Sequence, residues 1–392
     1  MNHDEIRTRL KSYIPAFDGL RAVAILWVIV HNASIDTLLH NNLAITKVIE
    51  LFTNMGWLGV QLFFVLSGFL ITGILLDGKK RQPREEFKRF YARRFLRIFP
   101  VYYFFLFFVI LLGLVGSDVP GWARVANQHM GWFLVYLNNW VQAFQDVGLP
   151  HLWSLAVEEQ FYLLWPMVII LLPFSRLYWI CGALILLAPV FRFGMMEWLT
   201  DAKLAGGLAY VLTPARMDAL AIGAALAISM RDPRFSGWMQ QRMPILLLLF
   251  SGYMLGELAV FHSYAPTGGG IVSLNQTMAA LLFAVLLYYA IGLEQGNRIT
   301  VAYRRFLCLP WMRAIGKYSY AIYIFHKPVA TVLHASYGAD FQQQITEWSS
   351  VTKLAAFFGD SALIFILSFS LAWISWRLIE QPFLNLKRKF PM

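Results

Sequence analysis

The run F-D-G-L-R-A-V-A-I-L-W-V-I-V-H-N, residues 17–32, decides the fold class. It is apolar for most of its length, with Arg21 near one end and His31 near the other. On a helix rising 1.5 Å per residue, His31 lies roughly 15 Å beyond Arg21, about half the hydrocarbon thickness of a bilayer. A histidine at that depth must be satisfied by partners and can take or give a proton near neutral pH, while an arginine marks the aqueous end. An interfacial anchor and one passively packed histidine would also account for the pair. Ionisable groups inside a membrane are rare and usually functional, which favours a working helix over a passive span.

The rest of the chain agrees with a membrane setting. Its 392 residues are 58% hydrophobic and 14% charged, with a mean hydropathy of +0.56. A soluble domain of this length cannot hide so much apolar surface. Apolar runs of bilayer length predict ten spans, at about 21–38, 56–76, 95–116, 151–172, 177–195, 207–230, 244–261, 271–292, 315–334 and 354–378. The short apolar stretch 130–142 reads as interfacial or re-entrant. The net charge of +11 would suit nucleic acid if it were spread along the chain, but it is sorted. With the N-terminus inside, 25 basic residues fall on inner segments and five on outer ones. The positive-inside rule then puts both termini in the cytoplasm, and no nucleic-acid partner is expected. The expected architecture is all-α: a polytopic integral membrane protein with ten transmembrane helices, one membrane domain over 1–392 and no extra soluble domain. The charged start, residues 1–20, lacks a small-residue cleavage site and reads as a retained anchor. Cys181 and Cys308 lie in apolar or basic surroundings, so neither a disulfide framework nor a metal site is expected. No internal repeat is visible, which counts against a transporter built of inverted halves.

Further segments carry the polar chemistry. Residues 56–72, G-W-L-G-V-Q-L-F-F-V-L-S-G-F-L-I-T, hold Gly56, Gly59 and Gly68 for close backbone approach and Ser67 for a bond across helices, a pattern that packing explains best. Residues 79–100 carry nine basic residues against Glu85 and Glu86. Arg93 and Arg97 share a helix face there, with Arg94 beside them. A stop signal touching anionic lipid and a cytoplasmic cradle for a polyphosphate both fit, since forked guanidiniums grip phosphate bidentately.

In H-L-W-S-L-A-V-E-E-Q-F-Y-L-L-W-P, residues 151–166, His151, Ser154, Glu158 and Tyr162 fall close to one helix face, with Trp153 alongside. Two carboxylates at this depth are costly unless paired or protonated. Glu158 is taken as the working group and Glu159 as a structural partner. Arg216 and Asp218 are two residues apart, point to different sides of their helix, and each needs a partner elsewhere. His326 lies as deep as His31. Five polar groups (His31, Glu158, Arg216, Asp218 and His326) thus approach the membrane middle from four helices, which points to a hydrated pocket; a bundle-stabilising network is the alternative. Lys327 and Asp360 sit near the outer ends of consecutive spans and are expected to form an ion pair closing the outer half of that pocket.

Taken in order, F-D-G-L-R then His, G-V-x-L-F-F-V-L-S-G-F-L-I, R-R-F-L-R-I-F-P, W-S-L-A-V-E-E-Q-F-Y, A-R-M-D-A-L, Y-S-Y-A-I-Y-I-F-H-K-P and I-E-Q-P-F cover nearly the whole chain. As a set they resemble the acyltransferase 3 family of polytopic membrane O-acyltransferases. The resemblance implies ten spans in the cell inner (cytoplasmic) membrane and transfer of an acyl group, commonly acetyl, from acyl-coenzyme A. That thioester is a co-substrate, and no permanently bound cofactor is implied. The implied acceptor is a hydroxyl of a surface carbohydrate or lipid-linked glycan, such as an O-antigen or exopolysaccharide. The resemblance makes Arg21 and His31 essential and maps an arginine cluster onto Arg93, Arg94 and Arg97. This chain departs by placing nine residues rather than the usual ten between Arg21 and His31, a rotation of about 100°. Asn32 takes the usual spacing, and Lys327 stands where relatives often carry an aromatic. Some relatives carry a hydrolase-like domain that is not expected here, so a separate periplasmic partner is a candidate helper.

The expected chemistry docks the coenzyme A phosphates on Arg93, Arg94 and Arg97 and brings the thioester to His31. Oriented by Glu158, His31 acts as general base; an acyl-histidine intermediate is the second form. Arg216 or a backbone amide would steady the oxyanion, with His326 on the acceptor side and Arg21 at the inner mouth. The rival class is a transporter or flippase for a lipid-linked sugar, using the same polar path without covalent chemistry.

Overall fold

The protein is described by a computed structural model covering residues 3–33, 44–79, 82–114, 120–261, 265–292, 297–337, 344 and 347–389. Every regular element among the described residues is helical, as expected where lipid leaves backbone groups no partner outside their own segment. Residues 34–38 and 115–116, the ends of two expected spans, lie outside the described residues, as do Lys80 and Arg81 of the basic segment.

The chain begins with α1 (His3–Lys11), α2 (Ala16–Ala33), α3 (Ala44–Asn54), α4 (Trp57–Gly78) and α5 (Pro83–Leu114). Three short helices follow, α6 (Gly121–Gln128), α7 (Met130–Leu134) and α8 (Asn138–Gln142), then α9 (Trp153–Leu171) and α10 (Phe174–Trp198). Next come α11 (Ala202–Val211), α12 (Thr213–Ser229), α13 (Pro233–Phe261) and α14 (Asn275–Ile291). The last third holds α15 (Arg298–Leu307), α16 (Pro310–Ser336), α17 (Ser350–Ser375), a π-helical turn at Trp376–Glu380, α18 (Gln381–Asn385) and a final 3₁₀ turn at Leu386–Lys389. The stretch 130–142 forms only α7 and α8, far too short to cross a bilayer.

Among the described residues, eight helical segments are long and apolar enough to cross a membrane. The chain is thus a multi-pass membrane protein. The two expected spans outside that set, 21–38 and 315–334, correspond to α2 and α16. Both are diluted by polar groups, Asp18, Arg21 and His31 in one, Arg313, Lys317, His326 and Lys327 in the other. They pack on each other at the centre of the bundle, α2 also against α4, and α4 against α12. Burial separates the centre from the rim. In the apolar windows of Thr46–Gly78 and Ala202–Ser229, 78% of residues are buried inside the protein, against 11% for Gln241–Val260.

The central helices touch backbone to backbone, and glycine makes this possible. A Cβ at Gly68 on α4 would collide with the Leu220 carbonyl on α12, and one at Gly223 on α12 would collide with the Val65 carbonyl on α4. Gly316 on α16 likewise lies against the Asp18 carbonyl of α2. These contacts bring the polar faces of four helices within reach of one another.

Gly223→Ala or Gly68→Ala should destabilise the bundle by about 1–3 kcal/mol, the usual range for overpacking a well-filled core. Gly256→Ala, on the rim where no atom lies within 4 Å of the added carbon, should be neutral. Thermal unfolding midpoints in detergent check the contrast; equal midpoints for Gly223→Ala and Gly256→Ala would refute it.

Candidate active site

Three imidazoles are held by backbone carbonyls. His31, half-buried on α2, meets the Thr53 carbonyl through Nδ1 at 2.8 Å. Thr53 sits in the last turn of α3, and its carbonyl, which also accepts the Gly56 amide at 3.0 Å, takes the ring on its second lone pair. A Cβ at Gly56 would strike Cβ of His31, so this glycine clears the space the ring occupies. His151 meets the Ile324 carbonyl through Nε2 at 3.0 Å. That carbonyl is available because the residue four further on is Pro328, which has no N–H to give it. His326 turns Nδ1 back to the Tyr323 carbonyl at 2.6 Å.

A carbonyl only accepts, so each contacting nitrogen carries the proton and the other nitrogen keeps its basic lone pair. Nδ1 of His151 and Nε2 of His326 are buried with no hydrogen-bond partner among the described residues. The two rings meet edge to face at 5.3 Å between centroids, and His31 lies within electrostatic reach of His326. Tyr323 anchors the group: its hydroxyl donates to the His151 carbonyl at 2.8 Å and lies 2.6 Å from Ser154 Oγ.

Toward the other end of the bundle, Ser67 Oγ donates to Glu158 Oε1 at 2.6 Å. The Arg94 guanidinium lies 3.8 Å from the centroid of the Tyr162 ring, within electrostatic reach of Glu158 and Glu159. Arg21 pairs with Asp18 at 2.7 Å and lies within reach of Glu158 and Arg97. Glu158 and Glu159 are half-buried. Glu159 faces a cage of tyrosines, within reach of Tyr102, Tyr103, Tyr136 and Tyr320.

Arg93, Arg94 and Arg97 share this end with a residue the sequence reading passed over. The 3₁₀ turn at Leu386–Lys389 packs on α5, and half-buried Lys387 lies within reach of all three arginines. Burial first, then the charges of Arg97, Arg93 and Arg94, lower the Lys387 ammonium to about 7. Glu380, buried in the π-helical turn, lies within reach of Arg97 and Lys317. Among the described residues the cations at this mouth outnumber the carboxylates, which suits a polyanionic ligand.

Arg216 and Asp218 each make buried contacts apart from these groups, and Arg216 Nε has no hydrogen-bond partner among the described residues. Arg192 on α10, assigned from sequence to an outer charge count, is in fact buried against Asp218 at 2.9 Å. It also donates to the Ser273 carbonyl at 2.9 Å, to Thr277 Oγ1 at 2.6 Å and to the Ala215 carbonyl. Thr277 Oγ1 donates to Asp218 at 2.6 Å. Arg216 donates to Gln61 Oε1 at 2.8 Å and to Gln276 Oε1, and sits 5.1 to 5.5 Å from the ring centroids of Trp153, Tyr210 and Phe64. The expected convergence of five groups therefore divides. His31 and His326 come together with His151, Glu158 joins the arginines, and Arg216 and Asp218 brace α4, α10, α12 and α14.

Two expected pairings give way to others. Glu158 bonds Ser67, while a backbone carbonyl holds the His31 ring that Glu158 was expected to orient. Asp360 is not the partner of Lys327: it accepts from His334 Nε2 at 2.9 Å and from Tyr337 at 2.6 Å. His334 is seven residues beyond Lys327, on the same helix face but about 10 Å further along.

Comparison with known proteins bears on this arrangement. The sequence model of a family described as an acyltransferase domain matches residues 14–377. The chain is 29% identical to the peptidoglycan O-acetyltransferase OatA of Listeria monocytogenes, over 95% of this chain and 56% of that one. It is 31% identical to the putative peptidoglycan O-acetyltransferase YrhL of Bacillus subtilis, over 82% and 49%. With the O-acetyltransferase OatA of Staphylococcus aureus it shares 26% identity, over 94% and 57%. The chain spans about half the length of these curated relatives. No solved structure matches it.

Breaking the Arg192–Asp218 pair from one side leaves the other charge buried, so Arg192→Met or Asp218→Leu should each cost about 3–5 kcal/mol. The double variant should recover part of that loss in a detergent unfolding cycle. Strict additivity would show that the pair is not coupled.

Proposed function

The chain belongs to the acyltransferase 3 family, and on that premise we propose that it is a membrane O-acyltransferase moving an acyl group, taken to be acetyl, from acyl-coenzyme A to a carbohydrate hydroxyl. We take it to cross the cell inner membrane ten times, with both termini and the arginine mouth in the cytoplasm. The naming of its relatives as O-acetyltransferases, two of the names specifying peptidoglycan, supports acetyl transfer to a glycan. The observation that carries the reading is the meeting of carbonyl-fixed imidazoles with a cation-rich mouth inside one bundle.

In this scheme the donor phosphates dock on Arg93, Arg94, Arg97 and Lys387, and the pantetheine arm runs past Glu158 toward His31. His31 Nε2 takes the proton of the acceptor hydroxyl as its oxygen attacks the thioester carbonyl. The C–O bond forms, the C–S bond breaks, and the proton passes from the imidazolium to the departing thiolate. The Thr53 carbonyl plays the orienting part expected of Glu158, since it fixes the tautomer and stabilises the imidazolium as it forms. Arg216 is caged by rings and amides, so we assign it to the framework of the site. Glu158 sits where the donor arm passes, and we assign it with Ser67 to shaping that passage.

His31→Ala should lower transfer from acetyl-coenzyme A by about 10²–10⁴-fold while coenzyme A binding survives, measured in reconstituted membranes with a glycan acceptor. Transfer at the native rate would end the assignment.

The Lys387 ammonium supplies a pH signature. Its pKa is lowered to about 7 in the free protein, and a docked anion would raise it again, so binding above pH 7 takes up a proton. Coenzyme A affinity should therefore fall as pH rises above 7, by up to about tenfold per unit for one linked proton. The ligand's own phosphates, with a second pKa near 6, contribute little in that range. Lys387→Gln should bind more weakly at pH 7 and show a flatter pH dependence in titration calorimetry. An unchanged slope would remove Lys387 from the donor site.

A further inference from the structure

A cavity of about 250 Å³ lies at the opposite end of α16 from the arginine mouth. Lys317 marks the arginine end of that helix, within reach of Glu380. Lys327 lies ten residues, roughly 15 Å, further along and lines the cavity. The other walls come from α6, from the loop entering α9 and from the next turn of α16. They include Trp122, Asp146, Pro150, Pro328 and Thr331.

Two chain neighbours of these walls tie the cavity to the imidazoles. Pro150 precedes His151, and Lys327 follows His326, so the backbone behind these walls carries the two buried rings, neither of which lines the cavity itself. Each ring offers a nitrogen without a hydrogen-bond partner among the described residues. The Trp122 indole N–H is likewise buried and unpartnered among them. Asp146 is exposed and bonds the Gly148 amide through Oδ1 only, at 2.9 Å. The lining thus combines an indole and two proline rings with a carboxylate, an ammonium and a hydroxyl.

We infer that this cavity is the acceptor subsite and holds one pyranose ring of the glycan, its C–H face on Trp122 and its hydroxyls between Asp146 and Lys327. The chemistry fits a sugar better than a lipid or a nucleotide. Apolar ring faces alternate with hydroxyl-matched polar groups, and the cavity's one anion and one cation balance. The volume is at the small end for ligand sites, where roughly 300–1,000 Å³ is usual, and suits one ring of a longer chain lying partly outside. The ring would present a hydroxyl toward His151, His326 and His31 while the donor arrives from the far side. The inference rests on the acyltransferase reading for its use of that hydroxyl, but sugar binding itself is testable alone.

The probe is chitotetraose, a β-linked N-acetylglucosamine oligomer, titrated onto the full chain in lipid nanodiscs, with coenzyme A titrated separately. Trp122→Ala and Lys327→Gln should each weaken chitotetraose binding by about tenfold, with coenzyme A affinity unchanged. Intact coenzyme A binding shows that the variants are folded. Native chitotetraose affinity in both variants, or no saturable binding by the wild-type protein, overturns the subsite. Sugar binding that follows the expected pattern in a protein that takes no coenzyme A would uphold the subsite and overturn the transferase reading instead.

Discussion

The arrangement of the imidazoles depends on backbone carbonyls with lone pairs that the helices leave unused. In lipid, an unpartnered carbonyl is costly, and a proline or a helix end inside the bundle creates one. Pro328 releases the Ile324 carbonyl, and at the end of α3 the Thr53 carbonyl has a second lone pair beside the one the Gly56 amide takes. Imidazoles occupy both. The exchange settles two problems at once, since the carbonyl gains a donor and the ring is locked in one tautomer with its basic nitrogen facing away. A carboxylate in the same place would fix the ring too, but would bring a second charge to be desolvated.

Charge is divided between two jobs. The Arg192–Asp218 pair is fully satisfied, with every contact supplied by α10, α12 and α14 or the turn before it, and so acts as a brace. The arginines of α5 are the reverse: they crowd together with Lys387, with Asp18, Glu158, Glu159 and Glu380 within reach. A brace and a binding mouth can draw on the same residue types. What separates them is whether the protein itself completes the charge balance.

Much of this was legible in the chain. Helical content follows from runs of bilayer length, and Gly56, Gly59 and Gly68 announced close approach before their neighbours were known. The places of His31 and His326 along their helices followed from about 1.5 Å per residue. What could not be read was partnership between helices far apart in sequence. Arg192 lies 26 residues from Asp218, and nothing local ties them. The Lys327–Asp360 expectation had the right helix face and the wrong height, because residue spacing gives position along one helix but not its offset against the next. Lys387 was hidden for a different reason: it sits in a basic tail that looked like a topology signal, and only the fold of α18 onto α5 brings it to the arginines.

The polar dilution of α2 and α16 has a bearing on how the protein is made. Each is a poor candidate for stable residence in lipid alone, since one ionisable side chain at the core of an isolated helix costs at least a few kcal/mol. Their mutual contact closes across some 300 residues of sequence. During synthesis α2 therefore emerges long before the neighbour that shields it, and must be sheltered by α4 or by the insertion machinery until α16 arrives. The central bundle therefore closes only once the last third of the chain has been made.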